Sequence, residues 1–188
     1  MLASNRSLKV LNLNSCLIGP KFVKVLSEGI EKNNGLQTLL LEENNFLDPK
    51  CIQTLCKALM QQKQTTLHEL DIARCGLLDE HLGPLCELFQ AKFKLRRVDL
   101  SSNGIQDKGA QALIQAVQLN PYLVKLKLDA NPCRKYLSRE IDKICDMNLQ
   151  KKGSQEIPQH LQSIKDYSKL RAESLLDCAF EPQLLEEI

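Results

Sequence analysis

Leu95-Arg96-Arg97-Val98-Asp99-Leu100-Ser101-Ser102-Asn103-Gly104-Ile105 places apolar residues at its first, fourth, sixth and eleventh positions and an asparagine at its ninth. The frame L-x-x-L-x-L-x-x-N/C-x-L recurs on both sides of it. Toward the N terminus lie Leu67, Leu70, Ile72, Cys75 and Leu77, then Leu36, Leu39, Leu41, Asn44 and Phe46, then Leu8, Leu11, Leu13, Cys16 and Ile18. Toward the C terminus follow Leu123, Leu126, Leu128, Asn131 and Cys133. The starts are 28, 31, 28 and 28 residues apart. A fixed period of this size means stacked supersecondary units. Each L-x-L segment reads as a short strand whose alternate side chains face a core. The Asn or Cys falls where the chain leaves the strand. An amide there satisfies backbone groups, and a thiol fills space as a small, mostly apolar group. One unit cannot bury its own apolar face, so stability has to come from neighbours.

Between the strands the apolar period becomes helical. Phe22, Val23, Leu26 and Ile30 form one stripe, and Cys51, Leu55, Ala58 and Leu59 a second. Leu82, Leu85, Leu88 and Phe89 form a third, and Ala110, Leu113 and Val117 a fourth. Pro20, Pro49 and Asp107 stand where helices begin, since a first-turn residue needs no N–H partner and an acid suits the positive helix end. The unit predicted is strand, turn, helix.

The turn residues run Cys16, Asn44, Cys75, Asn103, Asn131. This alternation resembles ribonuclease inhibitor and the repeat regions of NOD-like receptors, over about residues 1–148. The resemblance implies an α/β fold: a leucine-rich-repeat solenoid, or horseshoe, with a parallel β-sheet on its concave side, α-helices on its convex side, and a helical C-terminal cap and tail. Two departures are three extra residues within 61–66 and the second consecutive Asn at 131.

The ends set the domain expectation. Asn33 and Asn120 stand three residues ahead of a frame-opening leucine, and Asn5 does the same before Leu8. Met1–Ser7 therefore reads as the close of a repeat. Either the array extends further, or a partner or a later segment covers the first strand, whose edge beside Leu11 and Leu13 is otherwise open to association. After Asn131-Pro132, residues 136–148 carry Leu137, Ile141, Ile144 and Cys145 at helical spacing. Asn148 then announces a leucine, but Lys151 stands in its place. Residues 1–148 are expected to form the repeat domain with its capping helix. Residues 149–188 are expected to form a helical tail, with Leu161, Ile164, Tyr167, Leu170 and Leu175 apolar and an acidic amphipathic end that docks back or meets a partner.

Composition excludes several classes. A net charge of +2 over 188 residues is too small to argue for nucleic acid or an anionic membrane. The absence of Trp removes the best stacking platform. No apolar run approaches the roughly 20 residues of a membrane span, and the N-terminal residues lack a secretion signal. The eight cysteines contain no C-x-x-C pair and mostly occupy apolar positions, so they read as free thiols in a reducing compartment. His68, His81 and His160 fall in unrelated registers, and no nucleotide-binding or nucleophile motif occurs. No enzyme activity, cofactor or metal is expected.

What remains is binding to another protein. The positions flanking the inward leucines form the outer face of the strands. Its candidate contact residues are Asn12, Asn14, Leu40, Glu42, Glu69, Asp71, Arg97, Asp99, Lys125 and Lys127. The face passes from apolar-polar through acidic to basic, a gradient suited to orienting a partner. The sheet face, the N-terminal edge and the acidic tail are the three surfaces expected to bind. The ending after Asn131-Pro132 looks like that of intracellular scaffold proteins of cytoskeletal, centriolar or ciliary assemblies, which implies a cytoplasmic, cytoskeleton- or cilium-associated binding scaffold. The alternatives are an enzyme inhibitor of the ribonuclease-inhibitor kind, a fragment of a NOD-like receptor sensor, or a GTPase activator similar to those for Ran, in which Arg74 beside Cys75 would be the loop residue.

Overall fold

The computed structural model describes residues 2–62 and 66–151. Five strands alternate with five helices: β1 Val10–Asn12, α1 Pro20–Lys32, β2 Thr38–Leu40, α2 Pro49–Gln61, β3 Glu69–Asp71, α3 Gly83–Gln90, β4 Arg97–Asp99, α4 Asp107–Gln118, β5 Lys125–Lys127 and α5 Lys135–Lys151. The strands form one parallel sheet in the order β1-β2-β3-β4-β5. The register is that of the repeat, with Leu11, Leu39, Leu70, Val98 and Leu126 stacked in line.

The frame residues build the core. Leu39, Leu41, Phe46, Leu70, Ile72, Leu77, Leu95, Leu100, Ile105 and Leu123 are fully buried. Each such side chain stabilises the fold by about 1.5–3 kcal/mol against exposure. The first unit differs, because Leu8, Leu11 and Leu13 are half-buried against the core and only Ile18 of that frame is fully enclosed. A 3-10 turn at Leu2–Ser4 lies against α1, where Leu2 meets Gly29, and a second at Asp79–His81 precedes α3.

Helix starts follow the sequence. Pro20 and Pro49 open α1 and α2, and the Asp48 carboxylate accepts the Lys50 N–H at 2.9 Å. Asp107 opens α4. The stripes expected on α2, α3 and α4 are buried. On α1 the stripe needs one correction. Val23, Leu26, Ser27 and Ile30 face inward, while Phe22 is 48% exposed. Phe22 is rotated about 100° from Val23 and about 90° from the centre of the stripe that Val23, Leu26, Ser27 and Ile30 form, outside its edge.

The expected helix over 136–148 is present and runs on to Lys151. The three extra residues sought within 61–66 fall partly on 63–65, outside the described residues, as do the tail expectations over 152–188. No helix among the described residues is long and apolar enough to cross a membrane.

Candidate functional site

Strand alternation decides which side chains leave the core. With Leu11, Leu39, Leu70, Val98 and Leu126 pointing inward, their neighbours on either side project from the opposite face. The register aligns Val10, Thr38, Glu69, Arg97 and Lys125 in one row and Asn12, Leu40, Asp71, Asp99 and Lys127 in the next. Asn14 and Glu42 follow in a third row, joined by a bond from the Glu42 N–H to Asn14 Oδ1 at 2.8 Å. All ten candidate residues stand on this face, but they are unequally accessible. Asn12, Lys125 and Lys127 are exposed, whereas Leu40 and Glu69 are only 6% and 9% exposed. Thr38 and Ala73 are buried beside them. The middle of the face is thus a closed floor, and its ends are open.

The charges divide accordingly. Lys127 Nζ lies 2.8 Å from Asp99 Oδ2. Burial works to raise the Asp99 carboxyl, but the bonds from Lys127 and Ser101 outweigh it and hold the group below the usual range. Lys125 is drawn toward the helix layer, where its Nζ lies 2.8 Å from Asp142 Oδ1 of α5, a partner the strand pattern did not reveal. Arg74 Nε stands 3.7 Å from Glu42 Oε1. Asp71 is pushed up to about 6, first by burial and then by the neighbouring Asp99 and Glu42 carboxylates, against the bond from the Ala73 N–H. Burial likewise raises Glu69, with Arg97 offsetting part of the effect. Its Oε2 is buried with no hydrogen-bond partner among the described residues.

Two ladders of amides hold this face in place. At the strand exits, Asn103 Nδ2 donates to the carbonyls of Ile72, Leu100 and Ser101, and its Oδ1 accepts the N–H groups of Cys75 and Leu77. Asn44 repeats this with Leu13, Leu41, Glu42, Cys16 and Ile18. At the strand entries, Asn33 reaches the carbonyls of Leu2 and Asn5, and Asn120 those of Phe89 and Phe93. Asn148 reaches Asn120 and Leu123. Gln62 does the same work beside the extra residues, donating to Ile30 and Asn33. The residue before each turn residue is left-handed: Ser15, Glu43, Arg74, Ser102 and Ala130 have φ between 53 and 59°.

Chemically, the face offers fixed charges held in register. Burial raises the thiols of Cys51, Cys56, Cys75, Cys86, Cys133 and Cys145, which keeps them protonated. No group of three metal-ligating side chains occurs among the described residues.

Known proteins carry the same pattern. The family described as Leucine Rich repeat matches residues 4–24 and 91–113. NACHT, LRR and PYD domains-containing protein 5 of Mus musculus is 32% identical over 133 residues, which is 69% of this chain and 11% of that protein. Ribonuclease inhibitor of Sus scrofa is 32% identical over 111 residues, which is 59% of this chain and 24% of that protein. The matched stretch is thus a small part of each relative. A solved structure titled Leiomodin-1 Actin-Binding Site 2 superposes with a TM-score of 0.66 at 12% identity, covering 86% of this chain and 88% of that one, a likeness of fold alone.

Proposed function

Since the chain is a leucine-rich-repeat protein related to the ribonuclease-inhibitor-like repeats, we propose that it is a non-enzymatic binding scaffold whose strand face holds another protein. The observation that carries this reading is the ordered face itself. Two rows of side chains stand in strict register, acidic over β3 and basic over β5, on a floor fixed from both ends by amides. Such a surface is rigid before contact, which lowers the ordering cost of association. The charge gradient gives a partner one preferred orientation.

The setting we propose is a cytoskeletal, centriolar or ciliary assembly in the cytoplasm, on the resemblance of the ending after Asn131-Pro132 to scaffold proteins of such assemblies. The N-terminal edge and the acidic tail are the other two surfaces on which a partner can be sought. An inhibitor of an enzyme is the second reading, favoured by the identity to ribonuclease inhibitor of Sus scrofa.

Affinity purification from the native cell tests the main reading. Reversing Glu69, Asp71, Lys125 and Lys127 is expected to lose the partner, whereas reversing Lys21, Lys24 and Glu28 on the exposed side of α1 keeps it. A partner retained by the first variant removes the strand face. Co-sedimentation with filaments tests the setting, and assay against a pancreatic-type ribonuclease tests the second reading.

A further inference from the structure

Ala91-Lys92-Phe93-Lys94-Leu95-Arg96-Arg97 leads from the end of α3 into β4 and holds no acid. The entry segments on either side of it, residues 62–68 and 119–124, hold none either. Phe93 and Leu95 are buried, whereas Lys92 and Lys94 are exposed and Arg96 is half-buried. The segment is fastened from both neighbours. The Arg96 and Arg97 N–H groups donate to the His68 carbonyl, and the Arg96 carbonyl accepts the N–H groups of Val124 and Lys125. Lys94 and Arg96 are two residues apart, so their Cα atoms stand at most about 7 Å from each other. Arg97 carries the positive charge on to the strand face, where it lies opposite Lys125.

The repeat supplies a control for these charges. Immediately before the frame-opening leucine, where unit four has Lys94, the other units have Ser7, Gly35, Thr66 and Tyr122. Immediately after it, where unit four has Arg96, they have Lys9, Gln37, His68 and Val124. The fold therefore needs no cation at 94 or 96. Lys92 differs, because it follows the last turn of α3, whose negative end favours a cation. The charges are not neutralised from within. Lys92, Lys94 and Arg96 are in no ion pair among the described residues. Of the nearby acids, Asp142 holds Lys125 and Glu69 acts on Arg97.

Cations placed side by side on a pinned backbone, and not neutralised by the fold, suit a negative partner. The chain's net charge of +2 gives no wider positive field of the kind that nucleic acid requires. Two cations two residues apart match alternate side chains of an extended peptide, which repeat at about the same distance. A guanidinium also grips a carboxylate through paired N–H donors. We infer that the entry segment of β4 docks an extended acidic segment of a protein partner, whose alternate carboxylates meet Lys94 and Arg96, with Lys92 at one end. This contact lies at the edge of the strand face and goes beyond the strand-face reading.

The test is a heteronuclear NMR titration of the full chain, in low salt, with acetyl-Glu-Ser-Glu-Ser-Glu-amide and with its glutamine analogue. The glutamate peptide is expected to shift the resonances of residues 92–97 and 122–125 saturably, with the glutamine peptide at least about tenfold weaker. Lys94→Gln and Arg96→Gln should each weaken the glutamate peptide by about threefold or more. Lys108→Gln removes the same charge from an exposed position at the start of α4 and should change nothing measurable. Positions 94 and 96 hold uncharged residues in other units, so the variants keep the fold. Equal binding of the two peptides, no binding of either, or an equal loss on Lys108→Gln overturns the inference. So does sedimentation with phosphatidylserine vesicles that requires Lys94 and Arg96 while the glutamate peptide leaves their resonances unmoved, since the patch then belongs to a membrane surface.

Discussion

Asn103 and Cys75 occupy the same turn position in consecutive units, yet they are not equivalent. The Asn103 amide makes five hydrogen bonds, two of them accepting N–H groups of the preceding unit. The Cys75 thiol has a single proton, aimed at the carbonyls of Leu41 and Ala73 at 3.2 and 3.3 Å. Its sulfur faces the backbone N–H groups of Asn44 and Glu43 in the preceding unit, whereas the backbone N–H groups of its own turn are held by Asn103. Cys16 stands to Asn44 in the same way. A cysteine turn therefore relies on an asparagine turn following it, which gives the Cys/Asn alternation a physical cause. The two types also differ one residue later. Leu17 and Gly76, after the cysteines, have φ of 54° and 73°, a conformation that Asn45, Gly104 and Pro132 do not adopt.

The strongest way to break this comparison is Asn103→Ala. It leaves buried backbone donors and acceptors of two units unpaired, and the expected loss is about 3–5 kcal/mol of unfolding free energy in urea. Asn131→Ala should cost less, because Asn131 is half-buried and accepts one N–H rather than two. Cys75→Ala, which removes a weak donor from the core, is expected to cost about 1–2 kcal/mol. Cys16 is exposed, so Cys16→Ala should stay within about 0.5 kcal/mol. Thiol labelling at neutral pH sharpens the pair: Cys16 reacts, while Cys75, pushed up to about 12 by burial, stays silent until the protein unfolds.

Asp71→Asn removes a charge from the exit of β3 without removing its bond to Ala73. The native carboxyl takes up its proton near pH 6, and an ordinary one near 3.8. Between those values the native state binds the extra proton, so stability due to this group falls as pH rises from about 4 to 6 and stays lower above. The variant is expected to flatten that slope in denaturation curves and to gain about 1 kcal/mol at pH 7. A small gain is expected of Leu17→Gly. A branched side chain at positive φ is strained, and glycine relieves it for a gain of about 0.5–1 kcal/mol, readable as a rise in Tm.

The sheet, its strand order and the buried stripes of α2–α4 were legible because a 28-residue leucine period leaves one arrangement that buries every repeat. Which side chains share the strand face was legible for the same reason. How deeply they sit was not. Glu69 reads as an exposed strand residue and is buried, while Arg97 beside it in the same row is half-buried, a difference that strand alternation does not encode. Gln62 escaped because the extra residues moved the entry amide out of frame and onto a longer side chain. The left-handed residues, from Ser15 to Ala130, share no residue type that marks the conformation. Lys125 seemed part of a basic patch, and its ion pair with Asp142 depends on how α5 packs, which no strand pattern encodes.

The amide ladders also have a direction. Asn44 and Asn103 hold N–H groups of the unit before them, and Asn131 holds Ile105 of the unit before it. Asn33, Gln62, Asn120 and Asn148 likewise reach back to carbonyls of earlier chain. Peeling the array from β5 therefore strips each newly exposed unit of the clasp that held its turn, and the damage spreads backward like a dropped stitch. Peeling from β1 takes from Asn44 the Leu13 carbonyl and two backbone donors, while the turn of its own unit keeps the Leu41 and Glu42 bonds. Unravelling is therefore expected to propagate more readily from the β5 side than from the β1 side, a difference that pulling the two ends in turn would read.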